Sequence, residues 1–256
     1  MTPNPVAPFK APDAKDLSVC KGPYTQAPST CYMPKDIIEI NICDPHTQKK
    51  KTYEIPRALL EWHSSYFAAA LDPENDFMRN ADGKIGLEGD FQVFDAFVCW
   101  LYTGRVKDPP ESFENATWSD IYLPHLLLSK IWVFADMRGV PGLANTAIDM
   151  LHENVAAVWA VSESVVSYVY KNTLAGAQLR KFLVDAFVLT KSPDSFLDSM
   201  EADVIPSQFL MDALPHLISR GKDAKNIGRT AWAKLDRCQW HDHSGPGGKL
   251  RFESRK

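Results

Sequence analysis

Apolar and polar residues alternate between positions 37 and 55, and this period predicts a hairpin of two strands that each bury one face. The alternating apolar residues are Ile38, Ile40, Ile42, Tyr53 and Ile55. Between them, Asp44-Pro45 favours a turn. Three consecutive lysines, Lys49 to Lys51, fall near the predicted tip, where a solvated turn explains them without a phosphate ligand.

Beyond the hairpin, the apolar spacing changes to that of amphipathic helices. We expect a short helix that begins at Pro56 and a second one that the Ser64 hydroxyl caps. A short strand at Ile85–Leu87 then precedes a longer helix between Asp90, its cap, and Gly104, its C-terminal glycine. The apolar face of this helix consists of Val93, Phe94, Phe97, Val98 and Leu101.

The second half of the chain follows helical periodicity. Residues 105–119 show little periodicity and include two consecutive prolines, so we predict an inserted loop. Two helices follow, one from about Asp120 to Phe134 and one from Pro141, and residues 154–220 are predicted to be wholly helical. The elements together predict an α+β fold, in which a helix cluster covers a short sheet and an all-helical extension follows.

The two ends of the chain differ from this pattern. Residues 1–34 contain seven of the 18 prolines and few aliphatic side chains. Such a segment buries too little surface to offset its ordering entropy, so we predict a disordered tail. Residues 221–256 are polar and glycine-rich and end in basic residues, and we predict a second, partly disordered tail there.

Three segments in this order resemble the BTB/POZ family, and their wording is most similar to its filamentous-fungal members. They are Tyr53–Phe67 (YEIPRALLEWHSSYF), Phe94–Gly104 (FDAFVCWLYTG) and Ile131–Asn145 (IWVFADMRGVPGLAN). The resemblance implies a BTB/POZ domain over residues 35–153, with the inserted loop inside it and the helical extension at 154–220 after it. Two departures concern the partner surface: Pro56 stands where many animal members have histidine, and residues 77–81 lack a common glutamate-serine pair.

The resemblance also implies a function, which is that of a non-enzymatic protein–protein interaction module. Many members form homodimers, and some are substrate adaptors for cullin-3-type ubiquitin ligases. A transcription-associated scaffold without a ligase role is an alternative. We expect no catalytic residues and no cofactor, because the patterns H-E-x-x-H, G-x-S-x-G and the P-loop are absent from the sequence.

Composition restricts the partners and the compartment. The net charge of -4 provides no general electrostatic reason to bind nucleic acid, and no apolar run is long enough to span a membrane. The first thirty residues contain no continuous apolar run typical of a signal peptide. Five cysteines, an odd number without a C-x-x-C pair, favour a reducing cytoplasmic or nuclear setting, with Cys43 and Cys99 as buried thiols.

The clearest candidate for a metal site lies near the C-terminus. Cys238, His241 and His243 place three soft or borderline ligands within six residues, a set that zinc could use. A structural zinc site needs four ligands, and the fourth would have to come from a distant histidine or cysteine. The alternative is a surface tail packed by Trp232 and Trp240, and on that interpretation no residue binds metal.

Overall fold

A computed structural model describes residues 27–72, 84–111, 117–190, 205–221 and 225–245 of the chain. Within them, strand β1 (Ile37–Cys43) lies between β2 (Lys50–Pro56) and β3 (Ile85–Glu88) in one sheet. β1 runs antiparallel to β2, as the predicted hairpin requires, and parallel to β3. The predicted alternation along β1 is confirmed, because the side chains of Ile38, Ile40 and Ile42 are all buried.

Helices form most of the remaining described structure. They are α1 (Arg57–His63), α2 (Ser65–Ala70), α3 (Phe91–Thr103), α4 (Trp118–Ile121), α5 (His125–Met137), α6 (Pro141–Val158), α7 (Glu163–Asn172), α8 (Gln178–Thr190), α9 (Ser207–Arg220) and α10 (Arg229–Ala233). The predicted α+β class, with a small sheet and many helices, is therefore confirmed. No helix of the described residues is both long and apolar enough to cross a membrane.

Three predicted helix ends agree with the structure, whereas Pro56 is the N-cap of α1 and the last residue of β2 rather than the first helical residue. The Ser64 hydroxyl accepts a hydrogen bond from the Phe67 N–H at 3.0 Å, and an Asp90 carboxylate oxygen accepts one from the Gln92 N–H at 2.9 Å. Gly104 ends α3 with a φ of 72°, in the left-handed region that glycine enters without a steric penalty. These three residues set where the helices around the sheet begin and end.

The helix predicted from Asp120 to Phe134 is interrupted. Pro124 separates α4 from α5, since proline disfavours helical backbone in the residue before it and has no N–H to donate. The Asn154 side chain donates a hydrogen bond to the Leu123 carbonyl at 2.7 Å, so this carbonyl group has a partner although the helix is interrupted there. The end of the predicted loop 105–119 is also helical, because α4 begins at Trp118.

The prediction of a disordered N-terminal tail is wrong for its last part. Ser29–Tyr32 form a 3-10 helix, and the side chains of Ala27 and Cys31 are buried in the core. The proline-rich composition hid these two small apolar residues, which pack near α1. Residues 1–26 lie outside the described residues.

The thiols of Cys43 and Cys99 are only half-buried, so the expectation of two buried thiols at these positions is wrong.

Residues 225–245 of the predicted, partly disordered C-terminal tail are folded. After α10, Arg237–Trp240 form a second 3-10 helix, and both Trp232 and Trp240 are fully buried. Two large aromatic side chains bury enough surface to order a short polar segment around them. Residues 246–256 of the predicted tail lie outside the described residues.

One hydrophobic cluster joins the predicted domain and its extension. α6 continues without a break to Val158, so the expected boundary after residue 153 falls inside a helix. Buried residues from β1, from α8 and from the C-terminal segment all belong to this cluster. The helices after residue 153 therefore complete the core that the sheet begins.

Candidate metal and interaction sites

The three sequence-predicted metal ligands lie together. The thiol sulfur of Cys238 and one ring nitrogen each of His241 and His243 all lie within 4.8 Å of one another. Cys238 is half-buried, His241 is buried and His243 is exposed, so the group opens to solvent on one side. No distant histidine or cysteine among the described residues joins the group as a fourth ligand.

Local backbone structure accounts for this proximity. An Asp236 carboxylate oxygen accepts a hydrogen bond from the Cys238 N–H at 2.9 Å and starts the 3-10 helix. The His241 N–H then donates to the Cys238 carbonyl at 3.3 Å, which brings both side chains to the same side of the turn. The ring centroids of His241 and His243 are 5.6 Å apart, and the angle between the ring planes is 68°.

An acidic residue of α6 lies next to the buried histidine. The Nε2 atom of His241 is 3.1 Å from an Asp149 carboxylate oxygen, and the Arg237 guanidinium is 3.0 Å from the same oxygen. Arg237 also reaches Glu153 at 3.4 Å. Burial raises the pKa of the Glu153 carboxyl group, while the nearby Arg237 charge lowers it in part. The site therefore combines two carboxylates with one guanidinium directly behind His241.

Paired hydrogen bonds hold the backbone next to the cluster. The Asn145 amide donates to the Asp242 carbonyl and accepts from the Asp242 N–H, both at 2.9 Å. The Trp240 indole N–H donates to an Asp185 carboxylate oxygen of α8 at 2.7 Å. The segment that carries the three candidate ligands is thus attached to two different helices.

His152 lies between the two buried tryptophans. Its ring stacks on Trp232, with centroids 5.0 Å apart, and tilts against Trp240 at 5.6 Å. Burial lowers its pKa to about 4, so the ring is neutral near pH 7. Its Nε2–H donates to the Trp232 carbonyl at 2.8 Å, and the Trp232 indole N–H donates to the His152 carbonyl at 2.9 Å. His152 therefore has a structural role.

Sequence reasoning missed the supporting residues on α6. Asn145, Asp149 and Glu153 are spaced four apart and therefore lie on one face of the helix. Polar residues at this spacing on a largely buried helix indicate a polar partner, and that signal was present in the sequence. The partner itself, the segment around Asp242, is about a hundred residues away and has no local signature.

The three segments that resemble the BTB/POZ family contact one another. The Ser64 hydroxyl donates to the Arg138 carbonyl at 2.6 Å, and the Ser65 N–H donates to the Gly139 carbonyl at 3.2 Å. From the middle segment, the Trp100 ring meets the His63 ring edge-on at 4.9 Å. Burial lowers the pKa of His63 to about 4, so it is a neutral packing residue beside Trp100.

α9 has apolar residues on two faces. Phe209 and Ala213 are fully buried against the core. Four large apolar side chains of this helix remain exposed: Leu210, Met211, Leu214 and Ile218, at 40%, 64%, 48% and 70%. Since Leu210, Leu214 and Ile218 are spaced four apart, these residues form one outward stripe, which we call the α9 stripe.

A second exposed apolar group lies near the end of α3. The rings of Tyr32 and Tyr102 are 6.4 Å apart, and both residues are exposed. Beside them, a cavity of about 650 Å³ is lined by residues that include His63 and Trp100. Its lining includes parts of two of the three resembling segments.

Strand β2 is an edge of the described sheet and has charged residues along it. Lys50 and Lys51 are exposed, and Lys51 forms an ion pair with Asp95 of α3 at 2.6 Å. Tyr53 donates a hydrogen bond to the same carboxylate at 2.8 Å, and burial together with Asp95 raises its pKa. Lysines on an edge strand oppose pairing with a strand of another chain.

Comparison with known proteins adds no relative to this picture. No family model matches the chain, and no curated protein is significantly similar to it. The chain is thus characterised by its α+β architecture and by the sites described above.

Proposed function

We propose that this chain is a non-enzymatic protein–protein interaction module of the BTB/POZ type, and that it self-associates. The observation that carries the proposal is the mutual contact of the three resembling segments around Ser64, Trp100 and Arg138. Packing of the three segments against one another is what a BTB/POZ domain built from them would require. The sheet order β2-β1-β3, with helices between β2 and β3, agrees with the element order from which the resemblance arose.

The α9 stripe is the surface that we assign to self-association. A helix with apolar residues on two faces is stable when both faces are covered. The core already covers one face of α9. Pairing of the α9 stripe with the same stripe of a second copy covers the other face in both copies, as in a two-fold symmetric interface. The alternative route, addition of a strand at β2, is opposed by its lysines. The stripe from Leu210 to Ile218 extends about 12 Å along the helix.

Light scattering after size exclusion tests this proposal on the full-length protein. We expect a dimer at tens of micromolar, and a monomer for the double variant Leu214→Glu/Ile218→Glu. Leu174→Glu is the matched control, because Leu174 is 84% exposed and lies outside the stripe. A wild-type monomer, or a dimer that the double variant leaves intact, would overturn the assignment.

The resemblance further supports a role as a substrate adaptor for a cullin-3-type ubiquitin ligase. Retention of purified cullin-3 on immobilised full-length protein is the expected result. Self-association without cullin-3 binding would favour the transcription-associated scaffold, in which the module assembles proteins without a ligase. In both cases the proposed function of the chain is to bind other proteins selectively rather than to catalyse a reaction. The proposed compartment is the cytoplasm or the nucleus.

A further inference from the structure

We propose that Cys238, His241 and His243 bind a divalent transition-metal ion, with Zn²⁺ as the best fit, and that this ion fastens the C-terminal segment to α6. The inference is independent of the proposed interaction function. It rests on the convergence of three ligand atoms, on the carboxylate behind His241 and on the attachment of the flanking backbone.

The separation of the ligand atoms suits a tetrahedral ion after a small adjustment. Tetrahedral Zn²⁺ holds a thiolate sulfur and an imidazole nitrogen at about 3.5 Å from each other, given the usual zinc–ligand bond lengths. The three atoms here lie within 4.8 Å of one another, so each pair must approach by about 1.3 Å at most. His243 is exposed and Cys238 is half-buried, and both side chains can rotate without disturbing the core.

His241 lies beside a carboxylate, as a metal-ligating histidine commonly does. A ligating histidine commonly donates its other ring N–H to a carboxylate, which fixes both the tautomer and the ring plane. Here Nε2 lies 3.1 Å from an Asp149 carboxylate oxygen, but the two atoms do not meet hydrogen-bond geometry. A small rotation of the ring would complete that bond and leave Nδ1 for the metal. Arg237, at 3.0 Å from the same carboxylate oxygen, fixes Asp149 in turn.

The ligand types select the class of metal. One thiolate and two imidazoles favour Zn²⁺ and its neighbours over Mg²⁺ and Ca²⁺, which prefer oxygen ligands. On binding, the Cys238 thiol loses its proton to the solvent and the sulfur forms the metal bond. Three protein ligands leave one tetrahedral position for a water molecule on the exposed side next to His243. The site is therefore more open than a structural zinc site with four protein ligands, and we expect weaker binding than at such a site.

The consequence of binding is a tighter C-terminal segment. Asn145 and Trp240 already attach the backbone on either side of His241 to α6 and α8. A metal ion that binds only the folded arrangement stabilises it further, by mass action. We therefore expect Zn²⁺ to raise the thermal midpoint of the whole chain, since this segment is part of the common core.

The test uses full-length, tag-free protein that is reduced, stripped of metal by a chelator and then titrated with Zn²⁺ or Co²⁺. We expect one equivalent to bind, a rise in the thermal midpoint with Zn²⁺, and a thiolate-to-metal charge-transfer band with Co²⁺. Cys238→Ser should abolish that band. His243→Ala should weaken binding at least about tenfold, and because this side chain is exposed the fold should be retained.

Matched controls are available elsewhere in the chain. Cys99→Ser removes another half-buried thiol, and His216→Ala removes another exposed imidazole. Both should bind metal like the wild type, and circular dichroism should show every variant to be folded. Absence of stoichiometric binding by the wild type, or equal binding by Cys238→Ser and Cys99→Ser, would overturn the proposal.

Discussion

The indole ring of Trp100 lies directly on the backbone of Gly142. A Cβ atom at Gly142 would come within 2.7 Å of the ring, which is closer than real Cβ contacts. The Trp100 indole N–H also donates to the Thr146 hydroxyl at 2.9 Å, one turn further along α6. These contacts hold the Trp100 ring of α3 against the first turn of α6.

Gly142→Ala should therefore destabilise the protein even though alanine is the better helix former. The propensity gain is about 1 kcal/mol, whereas overpacking of a rigid aromatic ring costs about 1–3 kcal/mol, so we expect a net loss of up to about 2 kcal/mol. Urea unfolding measures the change. Gly89→Ala is the control, because its added Cβ would meet only Ile42 at an ordinary contact distance of 4.0 Å, and we expect it to be nearly neutral. A variant more stable than the wild type would contradict the close packing.

The Ser64 hydroxyl acts on two segments at once. It accepts from the Phe67 N–H at 3.0 Å and donates to the Arg138 carbonyl at 2.6 Å, and the residue is fully buried. Ser64→Ala leaves both backbone groups without this partner, and we expect the free energy of unfolding to fall by about 1–3 kcal/mol. Ser162→Ala should change it little, since this exposed N-terminal serine of α7 makes no capping hydrogen bond. Equal effects of the two substitutions would refute the special role of Ser64.

Local chemistry explains what the sequence could predict. Strand alternation in β1, the caps at Ser64 and Asp90 and the glycine at 104 all depend on neighbours within a few residues, and all agree with the structure. The spacing of Cys238, His241 and His243 is local as well, so the candidate ligands could be named before their geometry was known.

Long-range pairing explains what the sequence could not predict. The contact of Asn145 with Asp242 spans 97 residues, and that of His152 with Trp232 spans 80. A polar, glycine-rich composition describes the C-terminal segment correctly, but its burial depends on a groove that distant helices build. The role of Asp149 behind His241 was missed for the same reason.

Stability should fall in mild acid, and His63 is one of the two buried histidines, with His152, whose pKa is lowered to about 4. Burial lowers the pKa of His63 in the folded protein to about 4, below the value of about 6.5 in the unfolded chain. The unfolded state then binds more protons between these values, so stability is full above pH 6.5 and decreases as the pH falls towards 4. The shift corresponds to about 3 kcal/mol.

The measurement compares urea unfolding of the wild type and His63→Gln at pH 7.5 and at pH 4.5. We expect the variant to be less stable at the higher pH, because it loses packing against Trp100, but to lose less stability on acidification. His216→Gln, an exposed histidine, should follow the wild type. An identical pH dependence for the wild type and His63→Gln would exclude His63 as the source.

The C-terminal segment should contribute several kcal/mol to the free energy of unfolding through Trp240. Trp240 is fully buried, packs against Phe182 at 5.2 Å between ring centroids, and donates its indole N–H to Asp185 at 2.7 Å. Trp240→Ala removes this contact area and leaves Asp185 without its indole donor, so we expect a loss of about 3–5 kcal/mol. Leu174→Ala, at an 84% exposed position, should cost almost nothing. If Trp240→Ala cost as little as Leu174→Ala, the segment would not be part of the core.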